Sequence, residues 1–125
     1  MGSLVVLIED DPLVRFGQAL LLRDWGYRVV AEASLEAVKA ALEGSPGEIA
    51  AIITDFHLGD DETGPDAALE LAKEAGSAIP TMILSASFGR SSGVAAALHG
   101  FEMLAKPVDP ERLQGWLASA IKRRS

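Results

Sequence analysis

Five largely apolar runs of strand length, Leu4–Ile8, Tyr27–Ala31, Ile49–Ile53, Pro80–Leu84 and Phe101–Ala105, alternate with stretches of helical character. Runs such as Leu4–Ile8 and Ile49–Ile53 show no polar alternation, which is the composition of strands covered on both faces. Such cover arises when helices pack on both sides of a parallel sheet, and the β-α order repeated along the chain supplies those helices. Right-handed crossovers leave few topologies. The expectation is an α/β fold of flavodoxin-like type, a doubly wound five-stranded parallel sheet in the order 2-1-3-4-5. That order sets the first and third strands side by side at the topological switch point.

The helices have their own signals. Pro12 opens a pattern over Leu13–Trp25 with Val14, Leu20, Leu21 and Trp25 as apolar positions, and Gly26 stops it. Ser34 is a good N-cap for a helix to Leu42, which Gly44-Ser45-Pro46-Gly47 ends. Gly64-Pro65 reads as loop punctuation before a small-residue helix from Ala67 to about Ala75. Gly89–Gly93 reads as loop or weak helix, Val94–Leu98 more firmly as helix stopped by Gly100, and Pro110–Lys122 as a last helix with Leu113, Trp116, Leu117, Ala120 and Ile121 on one face.

At 125 residues the chain fits one domain, residues 1–125, although Met1-Gly2-Ser3 has the composition of an expression scar. With no cysteine, neither a disulfide nor a thiolate metal site is available, and a reducing, cytoplasmic setting fits. The net charge of −7 disfavours nucleic-acid binding. The basic Lys122-Arg123-Arg124 reads as a helix end complementing the macrodipole. No apolar run approaches the roughly 20 residues of a membrane span, so neither membrane nor nucleic acid is expected as a partner.

The strands end on polar groups: Glu9-Asp10 after the first, Asp55 after the third, Ser85 after the fourth and Lys106 after the fifth. A parallel sheet brings these ends to one edge, where ligands bind in open α/β folds. Carboxylates gathered there repel unless a cation neutralises them or one takes up a proton. Hard oxygen donors without a His or Cys cluster suit Mg²⁺ shared with a phosphate. Beside these, Asp11 reads as a helix-start acid, Asp60, Asp61 and Glu62 as a solvated acidic loop, and Trp25 and Trp116 as packing residues. The His57 imidazole and His99 are not expected to act as ligands.

These residues carry a resemblance. Glu9-Asp10 with Arg15 five residues on, Asp55 after an apolar strand, Ser85-Ala86 and Lys106-Pro107 together resemble the receiver domain of a two-component response regulator of the CheY-like family, along essentially the whole chain. The resemblance implies that Asp55 takes a phosphoryl group from a phosphohistidine or a small phosphodonor. It implies Mg²⁺ bound by Asp10, Asp55 and the His57 backbone carbonyl, with Glu9 acting through a metal-bound water. It further implies that Lys106 offsets phosphoryl charge, that Ser85 donates to a phosphoryl oxygen as the switch, and that Lys106-Pro107 is cis. Such a domain is not an enzyme beyond its self-catalysed phosphorylation and dephosphorylation. Its partners are a histidine kinase or histidine phosphotransfer protein and a downstream effector. Ser87 lies where receivers tune loss of the phosphoryl group, and a plain loop serine is the alternative.

Two departures bear on output. The loop Leu58-Gly59-Asp60-Asp61-Glu62-Thr63-Gly64 has one residue more than the commonest receiver pattern and resembles receivers attached to hybrid sensor kinases, which keeps open a C-terminal receiver fragment of such a kinase. Met103 stands where the family usually has the aromatic that rotates on activation, so Met103 and Pro107 join Ser85 as candidate switch positions. Other classes fit less well. A haloacid-dehalogenase-like phosphatase needs an acid two residues after the nucleophile, where His57 stands, and a flavin or nucleotide site would be repelled by the acidic loop after the first strand.

Overall fold

The computed structural model describes residues 2–59, 61–86 and 100–124. The expected loop or weak helix Gly89–Gly93 and helix Val94–Leu98 lie outside the described residues, as do Ser87, His99 and Asp60.

Strands β1 (Leu4–Ile8), β2 (Arg28–Glu32), β3 (Ile49–Asp55), β4 (Thr81–Ser85) and β5 (Glu102–Ala105) form one sheet in the order β2-β1-β3-β4-β5, and every pairing is parallel. The expected topology is observed. Around it lie α1 (Pro12–Asp24), α2 (Leu35–Leu42), α3 (Gly64–Ala75) and α4 (Pro110–Arg124), with a 3-10 turn at Pro46–Glu48. In register, Val6 faces Val30 on one side and Ile52 on the other, and Asp55 faces Leu84.

The alternation of side chains across a strand splits the core in two. Val6, Ile8 and Ile52 point to one face with Val38 and Leu42 of α2 and Leu71 of α3. Val5, Leu7, Ile53 and Leu84 point to the other with Ala19 and Leu22 of α1 and Leu113 and Leu117 of α4. β1 and β3 feed both clusters, which is why their sequences are apolar throughout. Each fully buried Leu or Ile contributes about 1.5–3 kcal/mol of transfer free energy, so these strands carry much of the burial that holds the described core.

Three expectations need correction. Asp55 is the last residue of β3 rather than the first after it, because the ladder with β4 continues through Asp55 and Leu84. Helix α3 begins at Gly64, three residues before the expected Ala67. Pro65 sits in its first turn, where the missing N–H loses no intrahelical bond, and the Thr63 hydroxyl caps the turn by accepting from the Asp66 amide at 3.3 Å. On α1 the expected apolar face is rotated. Ala19 and Leu22 are buried, whereas Val14 and Leu20 are exposed. The remaining boundaries agree within two residues, and Gly26, at φ 97°, ends α1 in the left-handed region as expected.

Candidate functional site

The carboxyl ends of β1, β3, β4 and β5 converge. Glu9 follows β1 and is only 1% exposed, Asp10 beside it is exposed, and Asp55 closes β3 at 7% exposed. Carboxylate oxygens of Glu9, Asp10 and Asp55 all lie within 4.8 Å of one another. Lys106 follows β5, and its backbone amide donates to the Ser85 carbonyl at 2.9 Å, extending the ladder with β4 and fixing the root of the side chain. From there Nζ lies 3.0 Å from Glu9 Oε1 and 2.5 Å from Asp55 Oδ1. Ser85 is buried at the end of β4. With Asp55, Phe56, His57, Ala86 and Lys106 it lines a small cleft of about 140 Å³.

The electrostatics leave negative charge over. Burial, reinforced by the neighbouring Asp55, holds the Glu9 carboxyl above its usual range, and Lys106 only partly offsets this. For Lys106 burial disfavours the ammonium, but contact with Asp55 and Glu9 outweighs it, and the pKa ends above the usual lysine value. Asp55 Oδ1 is buried without an aligned hydrogen bond, although the ammonium touches it. A group of oxygen donors carrying more negative charge than the Lys106 ammonium balances fits a hard divalent cation such as Mg²⁺.

The acidic turn after β1 is tied down at both ends. Arg15 Nη1 donates to the Glu9 carbonyl at 2.8 Å, and Asp11 caps α1 by accepting from the Leu13 and Val14 amides at 2.9 and 3.3 Å. Asp11 is thus the helix-start acid its position suggested.

Beyond Asp55 the chain folds back on itself. Gly64 N donates to Phe56 O at 2.7 Å, Leu58 N to Glu62 O at 2.9 Å, and His57 and Thr63 form an antiparallel bridge. Gly64 is required by space: a Cβ there would meet the Asp55 carbonyl oxygen at 2.0 Å and Thr54 Cγ2 at 2.8 Å. Glu62 departs from the solvated loop expected of it. It is half-buried, and its Oε1 accepts from the Leu35 amide of α2 at 2.8 Å. Asp61 is exposed, as expected.

Of the residues singled out in sequence, Glu9, Asp10, Asp55 and Lys106 come together, with Ser85 and His57 on the cleft wall. The His57 ring is exposed and packs edge-on against Phe56. Met103 is half-buried mid-strand opposite Ile83, and does not line the cleft. Pro107 is exposed, and the expected cis peptide at Lys106-Pro107 is present. Trp116 is half-buried, as expected, but also donates from Nε1 to Glu102 Oε2 at 2.7 Å. Sequence reasoning missed the contacts of Glu62 and the steric role of Gly64. A glycine opening a helix directly after an acidic loop was the one available signal for the latter.

Residues 5–118 match the family model described as response regulator receiver domain. The chain is 30% identical over 124 residues to the phyllosphere-induced regulator PhyR of Methylorubrum extorquens, covering 97% of this chain and 44% of that protein. It therefore spans less than half the length of that curated relative. Among solved structures, a response regulator receiver domain protein from Clostridium thermocellum superposes with a TM-score of 0.85 at 23% identity, covering 98% of this chain and 96% of that one. A CheY-like receiver domain protein from Methanospirillum hungatei gives 0.83 at 17% identity, with the same coverages of 98% and 96%.

Proposed function

The chain belongs to the response regulator receiver domain family of two-component signalling, and from that premise we propose that Asp55 is its phosphoacceptor. The observation that carries this reading is the buried Asp55 Oδ1, touched by the Lys106 ammonium inside a cluster completed by Glu9 and Asp10. An Asp55 carboxylate oxygen attacks the phosphorus of a phosphohistidine. The P–N bond breaks, and its electron pair stays on the imidazole nitrogen, which takes up a proton. Lys106, already charged and rooted directly after β5, transfers part of its attraction from the carboxylates to the phosphoryl oxygens. The Ser85 hydroxyl then donates to one of those oxygens and acts as the switch, with Met103 and Pro107 as the further positions that respond. Asp10, Asp55 and the His57 carbonyl would hold Mg²⁺, with Glu9 acting through a water, and the ion would supply neutralisation of phosphoryl charge.

Residues 1–125 act as a single receiver, a signalling module rather than an enzyme, whose only chemistry is gain and loss of its own phosphoryl group in the cytoplasm. The donor, a histidine kinase or histidine phosphotransfer protein, covers α1. Leu13, Phe16 and Leu20 are 84%, 56% and 54% exposed, at helical spacing, and they begin two residues after the Asp11 cap. Exposed apolar stripes of this kind mark protein interfaces. No described helix is long and apolar enough to cross a membrane. The long loop after Asp55 favours a second reading of the same chemistry, in which this receiver is the C-terminal part of a hybrid histidine kinase.

The test is a Mg²⁺-dependent mass gain of one phosphoryl group from acetyl phosphate, absent in Asp55→Asn. No gain from acetyl phosphate or from any phosphohistidine donor would overturn the reading.

A further inference from the structure

The metal donor least constrained by sequence is a backbone carbonyl, that of His57, since any residue supplies one. What aims it is the rest of its peptide unit. The His57 carbonyl and the Leu58 N–H belong to one plane. The Leu58 N–H donates to the Glu62 carbonyl at 2.9 Å, which fixes that plane. Glu62 in turn is held from outside the loop, because its Oε1 accepts the Leu35 amide at 2.8 Å. Leu35 is the first residue of α2, where a helix leaves its amides without intrahelical acceptors. Ser34 satisfies one such amide, that of Ala37 at 3.2 Å, and Glu62 satisfies the one at Leu35.

We propose that Glu62 is a positioning residue for the metal centre, bracing the His57 carbonyl against the N-terminus of α2. The inference rests on the reading of Asp10, Asp55 and the His57 carbonyl as metal donors. The continuous path runs from the α2 amide to the Glu62 carboxylate, through the Glu62 carbonyl and the Leu58 N–H, to the His57 carbonyl. Glu62 does not touch the metal. It acts by denying the loop an orientation in which the His57 carbonyl turns away. Because the path is mechanical, it works in both directions: occupancy of the metal centre is felt at the first turn of α2, and a partner seated on that turn changes the grip on the metal.

The experiment compares wild type, Glu62→Gln, Glu62→Ala and Leu35→Pro, titrated with Mg²⁺ by calorimetry and by the NMR resonances of the Leu35 and Leu58 amides. Gln keeps the acceptor oxygen without the charge, Ala loses both, and Pro removes the Leu35 donor at a helix position that tolerates it. The expected result is about ten-fold weaker Mg²⁺ binding in Glu62→Ala and Leu35→Pro, and affinity within about two-fold of wild type in Glu62→Gln. In wild type the Leu35 amide shifts on Mg²⁺ addition, and in Glu62→Ala only the Leu58 amide does. Equal weakening by Gln and Ala would assign the effect to charge and overturn the proposal, as would wild-type affinity in Glu62→Ala or Leu35→Pro. Should Glu62→Ala fail to fold, Leu35→Pro decides alone. Absence of Mg²⁺ binding by wild type would instead overturn the reading of the metal centre itself.

Discussion

Lys106 Nζ lies 2.5 Å from Asp55 Oδ1, so a cation rooted directly after the edge strand β5 reaches past the end of β4 to an acid on the central strand β3. The same nitrogen touches Glu9 at 3.0 Å. Lys106→Met leaves two buried carboxylates facing each other. The expected loss is about 1–3 kcal/mol, below the figure for fully buried pairs because Lys106 is a quarter exposed. Urea unfolding should show it, and added Mg²⁺ should return more stability to the variant than to wild type.

Glu9 provides a pH test with a defined sign. Its folded-state pKa is raised above 4.5, chiefly by burial. It therefore contributes stability below its unfolded value, and that contribution is lost as pH rises through the folded value. In Mg²⁺-free buffer Glu9→Gln should be more stable than wild type at neutral pH, and the gap should close as pH falls toward 4.5. Denaturation midpoints measured across that range check the sign, and a gap that widened in acid would contradict it.

Gly64→Ala places a Cβ 2.0 Å from the Asp55 carbonyl oxygen, which belongs to backbone and cannot swing aside. Overpacking of this kind costs about 1–3 kcal/mol. Since the displaced atom is the carbonyl of the proposed phosphoacceptor, labelling by acetyl phosphate should slow together with the fall in melting temperature.

Asp11→Ala separates a cap from a ligand. Loss of the bonds to the Leu13 and Val14 amides should cost about 1 kcal/mol of stability. Phosphorylation from acetyl phosphate should persist at saturating Mg²⁺, whereas Asp10→Asn should abolish it under the same conditions.

On α1, Leu13→Ala and Phe16→Ala remove side chains that are mostly in solvent. Stability should change by no more than about 0.5 kcal/mol. Labelling by acetyl phosphate should be unaffected, and transfer from a phosphohistidine protein should fall at least about ten-fold if those two side chains carry about 1.4 kcal/mol of the docking. Unchanged protein-to-protein transfer would remove α1 from the interface.

The sheet was legible because β1 and β3 are buried on both faces, which leaves an unbroken apolar signature that little else produces. The strand-end acids and Lys106 were legible for a related reason, since parallel topology carries every strand end to the same edge. What could not be read depends on contacts distant in sequence. Glu62 lies 27 residues from Leu35, and nothing local to either residue announces their bond. The buried face of α1 was misjudged because the helix carries apolar residues on two faces, Ala19 and Leu22 inward and Leu13, Phe16 and Leu20 outward. Periodicity counts both alike. Asp66 shows the same limit at a boundary: its amide is capped by Thr63, so the Gly64-Pro65 pair that reads as loop punctuation opens α3 instead.

The placement of Lys106 directly after an edge strand has a consequence for fraying. Among the described residues β5 pairs only with β4, whereas β3 is held on both sides by β1 and β4. Edge strands open in excursions far less costly than global unfolding, and amide hydrogen exchange records them. Each opening of β5 withdraws the ammonium and leaves Glu9 and Asp55 facing each other in place. Without metal, that open form bears the full repulsion and is rare. With metal, the acids stay neutralised and β5 loosens more freely, so exchange at Leu104 and Ala105 should quicken when Mg²⁺ binds, against the usual rule that ligands slow it.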